Sequence, residues 1–153
     1  MSLQVVHQRQ VGQPMSVGPI SKAGQKSPKV TLKPGDETGF IGNVHKGPSG
    51  YRDVYVNDIG AAMLEGEGPY NFPAGTVVVK EQFNDKAAWE SGEGGAVTVS
   101  VKAESTDAVA KENWIWATSY NAKAGASAFC SGCHSIAAKD DFVFTHGAFL
   151  ASQ

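Results

Sequence analysis

Residues 130–134 read Cys130-Ser131-Gly132-Cys133-His134. Two thiols separated by two residues can each add across one vinyl group of the same porphyrin, and the adjoining imidazole is then positioned to take the iron. The chemistry predicted is covalent attachment of one haem c per chain, with Cys130 and Cys133 as thioether positions and His134 as the metal ligand. Two other readings stay open on these residues alone. A Cys-x-x-Cys pair is also a redox disulfide, and with His134 and His146 it composes a four-ligand zinc set. Against them, a redox pair calls for a strand-to-helix setting, and zinc sites space their ligand pairs more regularly.

A haem iron held by His134 needs a sixth ligand only if the protein is a plain electron carrier. No methionine follows the motif: Met1 and Met15 precede everything else, and Met63 falls in a short apolar segment where burial in the core is expected. His146 is the remaining candidate and has to cross to the opposite face of the ring. The expectation is therefore five-coordinate iron with an open distal position.

The chain has 153 residues, 13 basic and 15 acidic side chains and a formal charge of −2. That length suits one domain with a core of its own. The near-neutral balance offers no basic field for nucleic acid, and no apolar run is long enough for a membrane helix, so neither partner is expected. The first residues lack the basic start and apolar stretch of a secretion signal, whereas bacterial haem attachment takes place outside the cytoplasm. The two are reconciled if Met1-Ser2-Leu3 stands where a leader has been removed, which makes the periplasm the expected location.

The elements that must position the motif precede it. Residues 1–30 carry Pro14, Pro19 and Pro28 among Gln and Ser with no sustained apolar period, as an extended or flexible arm would, leaving 31–153 as a single domain. Residues 51–56 alternate as a strand, and Asn57-Asp58 then caps a short helix over Ile59–Leu64. The β-branched run 76–83 predicts a second strand and Asn84-Asp85 a helical turn through Trp89. Residues 96–102 alternate with Val97, Val99 and Val101 on one side, a third strand. A fourth covers 113–120, where Trp114, Trp116 and Tyr120 share a parity and are expected to form an aromatic wall beside a porphyrin. The fold class predicted is α+β: a mainly antiparallel β-sheet with a few short helices and a C-terminal haem-attachment motif.

With these strands, the late motif and Asp140-Asp141-Phe142-Val143-Phe144 behind it, the chain resembles the cytochrome P-460 family and the related cytochromes c′-beta. The segments carrying the resemblance are Val54-Tyr55-Val56-Asn57, the run Phe72-Pro73-Ala74-Gly75-Thr76-Val77-Val78-Val79-Lys80-Glu81, and Cys130–His134 with Asp141–Phe144. The resemblance implies a periplasmic homodimer with one c-type haem per chain and an electron-transfer partner protein. It also implies action on small nitrogen oxides, either hydroxylamine oxidation, which goes with an extra covalent bond from a lysine to the porphyrin edge, or nitric oxide binding at an apolar distal face.

Lys80 is the candidate for that bond, since it shares a strand face with Thr76 and Val78. Arg52 resembles the arginine of the family's distal pocket, where a fixed cation holds a nitrogen oxide or a haem propionate. Phe72 and Phe83 bracket the lysine strand and are expected to cap the open iron site. A solvated lysine, a surface arginine paired with Asp53 or Glu81, and two ordinary core phenylalanines are the bland counterparts of these assignments. One departure stands out. The hydroxylamine-oxidising members use a distal carboxylate contributed shortly before the haem motif, yet no Asp or Glu lies between Trp116 and Cys130. Only Glu81, Glu112 or Glu65 remains to supply such a base. A gas-binding or weakly active haem protein is therefore expected first, a simple electron carrier second and a non-haem Cys/His module third.

Overall fold

The computed structural model describes residues 29–32, 51–64, 70–104 and 113–144, the first of these as backbone. The predicted α+β class is what it contains. Five strands form one antiparallel meander in sequence order: β1 (Lys29–Leu32), β2 (Tyr51–Val56), β3 (Val77–Phe83), β4 (Ala96–Lys102) and β5 (Trp114–Ala117). Between them lie α1 (Asp58–Ala61), continued by a 3-10 turn over Ala62–Leu64, and α2 (Lys86–Ser91). After the sheet come α3 (Ala128–His134) and a 3-10 segment over Ser135–Asp140. The predicted arm lies outside the described residues, apart from Lys29 and Val30, which belong to β1.

Local chemistry explains the joints. Asn57 caps α1 by accepting from the Gly60 N–H at 3.1 Å, and the same oxygen accepts from Val77 N–H at 3.0 Å while the amide donates to the Gly75 carbonyl at 2.9 Å. One side chain thus ties β2, α1 and β3 together. Asp85 caps α2 in the same manner through Ala88 N–H, and Gly92 ends that helix at φ +69°. Strand β5 stops at Ala117, earlier than the sequence pattern suggests, because the chain turns over the next residues and returns to bridge Trp116 with Gly125.

Period-two alternation sorts the side chains onto two faces. Val79, Val99, Val101 and Ala117 make a core on one face, with Tyr55, Val77, Val97, Ile115 and Tyr120 packed against it. On the other face Phe72, Trp114 and Val143 form a second cluster joined by Met63, Val78, Trp116 and Phe142. The segments after β5 cover this second face, and the space between them and the sheet is where the chemistry-bearing residues meet.

Candidate functional site

A cavity of about 220 Å³ lies between the second face of the sheet and α3 with its following turn. Its floor is set by register. Val54 stands opposite Lys80 and Lys80 opposite Thr98, so these three point the same way, with Arg52, Val78 and Ser100 on the same side and Trp114 and Trp116 from β5. Its roof is Cys130, His134, Phe142, Val143 and Phe144. The structure therefore brings together Arg52, Lys80, Cys130 and His134, which are up to 82 residues apart in a chain of 153.

His134 ends α3 and its orientation is fixed on three sides. Its Nδ1 is 2.7 Å from the carbonyl oxygen of Phe142. A carbonyl can only accept, so Nδ1 carries the proton and Nε2 is the unprotonated nitrogen of the ring. Phe144 stands edge-on to the imidazole at 5.1 Å between centroids and Trp116 is tilted against it at 6.0 Å. Burial lowers the imidazole pKa, the Phe142 carbonyl opposes that, and the Lys80 charge adds to the lowering. The net effect keeps the ring neutral, the form that binds a metal.

Cys130 and Cys133 sit one helical turn apart on α3, both half-buried and both free thiols. Ser127 caps this helix, accepting from Cys130 N–H at 3.2 Å, and so fixes the first thiol relative to the cavity. Lys80 is half-buried in the cavity, and this desolvation together with the Arg52 charge pulls its amine down to about 8, with Cys130 opposing. An amine in that range carries an appreciable neutral, nucleophilic fraction near neutrality.

Two of the expected site residues stand elsewhere. Phe83 is three residues beyond Lys80 on β3, and an odd offset on a strand points it to the opposite face, where it is buried against Gly95. Phe72 is buried edge-on against Trp114 at 6.0 Å and supports the cavity from behind without lining it. Tyr120, expected in the aromatic wall, lies past the end of β5 and packs on the first core, its hydroxyl donating to Glu81 at 3.1 Å. Glu81 itself is buried on that first face, so it is not a cavity base, and among the described residues no carboxylate lines the cavity. Glu65, Glu112 and His146 lie outside the described residues.

Sequence reasoning missed one feature, the anchoring of the turn beneath His134. Asp141 is buried and accepts from Phe72 N–H at 2.7 Å and from Lys102 Nζ at 2.7 and 2.8 Å, with Trp114 Nε1–H at 3.5 Å. The partners are 27 to 69 residues away, so no local pattern announces them.

The residues present suit a covalently held haem. An imidazole in its Nδ1–H form and a thiol line one largely apolar cavity, a second thiol stands a turn away, and Arg52 and Lys80 give the same cavity a positive charge suited to anionic propionates. The indole Nε1–H of Trp116, which lines the cavity, is buried and has no hydrogen-bond partner among the described residues, a donor left for a group inside. Clusters of three or more His, Cys, Asp or Glu side chains able to hold a bare metal ion are absent among the described residues.

Comparison with known proteins agrees with this chemistry. The family model described as Cytochrome P460 matches residues 27–145, which spans β1 to the end of the cavity roof. No curated protein matches the chain. Among the described residues no helix is long and apolar enough to cross a membrane.

Proposed function

The chain belongs to the cytochrome P460 family, and from that premise we propose that it is a periplasmic c-type monohaem protein that binds small nitrogen oxides at an open iron position. The family implies the haem and action on nitrogen compounds, and to these we add covalent attachment, a periplasmic location and a nitrogen-oxide ligand. Cys130 and Cys133 would hold the porphyrin by thioether bonds, each S–H adding across one vinyl group. His134, with its proton on Nδ1, would hold the metal. When bound, the haem supplies an iron centre that coordinates small nitrogen oxides and exchanges electrons.

The observation that carries this reading is the His134 imidazole held by the Phe142 carbonyl in its Nδ1–H form, in a cavity shared with Cys130, Lys80 and Arg52. Val54, Val78, Trp114 and Trp116 line the cavity and would keep water away from a haem held there. Arg52, buried, offers a fixed positive charge to a nitrogen oxide or a propionate. Lys80, with its lowered pKa, is the amine available for a bond to the porphyrin edge.

Nitric oxide binding is favoured over hydroxylamine oxidation by the lack of a carboxylate in the cavity among the described residues. A simple electron carrier is the weaker reading, since Met63 packs in the Phe72 cluster and does not line the cavity. A homodimer and an electron-transfer partner protein complete the proposal.

The test is to export the chain with a secretion leader alongside haem-maturation proteins and record native and denatured ferrous spectra. The expected product carries covalent haem, binds nitric oxide and turns hydroxylamine over slowly or not at all. A native band displaced to the red that becomes an ordinary c-type band in Lys80→Met establishes the lysine bond. A colourless product without covalent tetrapyrrole mass overturns the haem assignment, and rapid hydroxylamine turnover overturns the preference for gas binding.

A further inference from the structure

Asp141 and Phe142 both have left-handed backbone, at φ +49° and +68°. Asparagine and aspartate tolerate that region; phenylalanine does so rarely, and two such residues in succession persist only where their surroundings force them. The forcing group is the Asp141 carboxylate. It is gripped by the Phe72 N–H and by the buried Lys102 ammonium, which also lies 5.3 Å from the centre of the Trp114 ring. Lys102 and Trp114 are register partners at the β4–β5 edge, so the turn is stapled to the sheet that floors the cavity. Phe142 N–H meanwhile donates to the Ala137 carbonyl at 2.9 Å, and its own carbonyl is thereby directed at His134.

From this geometry we infer that Asp141, through its ion pair with Lys102, is the positioning residue that holds the Phe142 carbonyl on His134 Nδ1, fixing the imidazole tautomer and raising its donor strength toward iron. The inference rests on the reading of His134 as the iron ligand. A strong acceptor on Nδ1–H gives the ring imidazolate character, which favours the ferric state; releasing it favours the ferrous state. Neither Asp141 nor Lys102 is among the residues lining the cavity, so they act through the Phe142 carbonyl and through Trp114, and the His134 tautomer is the readout that belongs to the carbonyl alone.

Asp141→Asn alone strands a buried ammonium and can unfold the chain, so the decisive variant is the charge-neutral pair Asp141→Asn with Lys102→Met. In the full-length haem-free chain with reduced thiols, ¹⁵N chemical shifts of His134 are expected to report a single Nδ1–H tautomer. The double variant, folded by circular dichroism, is expected to show mixed tautomers. In the exported haem-loaded protein the same variant should lower the ferrous iron–imidazole stretching frequency and raise the reduction potential. An unchanged tautomer in the folded double variant overturns the inference, as does an unchanged stretching frequency. A colourless exported wild type sinks the functional reading alone, because the haem-free measurement still decides this one.

Discussion

Arg52 and Lys80 occupy diagonal positions on neighbouring antiparallel strands, Arg52 opposite Gln82 and Lys80 opposite Val54, and both point into one cavity. Two cations in a largely apolar space raise each other's cost, and the side chain that can yield is the lysine. Its amine falls to about 8 from 10.5, first through burial and then through the arginine charge.

The stability consequence has a definite sign. A lysine whose folded pKa is lowered binds fewer protons when folded, so haem-free stability should rise as pH increases from about 8 to 10.5. Below that window the charged amine is a burden, and Lys80→Met should stabilise the haem-free chain at pH 7 by about 2–3 kcal/mol. The benefit should fade by pH 10.5. Denaturant titrations of both proteins at the two pH values check this; a variant equally stable or weaker at pH 7 refutes it.

The Asn57 side chain makes three hydrogen bonds, to Gly60, Gly75 and Val77, that join β2, α1 and β3. Asn57→Ala should cost about 2–3 kcal/mol, more than an ordinary helix cap, because backbone donors of two elements lose their acceptor together. Asn57→Asp retains the accepting oxygen and should cost less than half as much. Thermal unfolding of the two variants gives the comparison.

Gly60 is required by close approach. A Cβ there would stand 2.5 Å from a Val56 methyl and 2.6 Å from a Thr76 methyl, both on buried residues. Gly60→Ala should therefore destabilise by about 1–3 kcal/mol despite alanine's better helix propensity. The exposed Gly132, whose Cβ would meet nothing within 4 Å, is the control: Gly132→Ala should be neutral or slightly stabilising.

How far the sequence could lead depends on the range of each signal. Strands β2 and β4 were legible to the residue, and so was the capping role of Asn57, because alternation and caps are local. The haem motif is likewise contiguous. Register then carried Arg52 and Lys80 to the same cavity, which alternation within one strand cannot foresee. Phe83 is close to Lys80 along the chain, yet strict strand parity assigns it to the other face. Tyr120 leaves the aromatic wall because its parity with Trp116 holds only while the strand continues, and β5 ends at Ala117. The Asp141–Lys102 pair spans 39 residues, and neither member has a neighbour in sequence that hints at the other.

Glu81 offers a way to separate the two faces experimentally. It immediately follows Lys80, yet accepts from Tyr55 at 3.3 Å and Tyr120 at 3.1 Å on the side of the sheet away from the cavity. Burial raises the Tyr120 hydroxyl to about 12, with the Glu81 charge adding to it, so the phenol stays a donor across the ordinary range. If Glu81 served as the distal base, Glu81→Gln would abolish any hydroxylamine turnover and leave stability nearly intact. The geometry requires the reverse. Glu81→Gln and Tyr120→Phe should each destabilise the fold by about 1–2 kcal/mol, since each weakens a charge-assisted hydrogen bond. Neither should change the nitric oxide affinity or the native ferrous spectrum of the haem-loaded protein. Lys80→Met should behave in the opposite way, raising the stability of the haem-free chain at pH 7. A Glu81→Gln protein with normal unfolding but an altered ligand-binding spectrum would mean that this carboxylate reaches the cavity and that the assignment of faces is wrong.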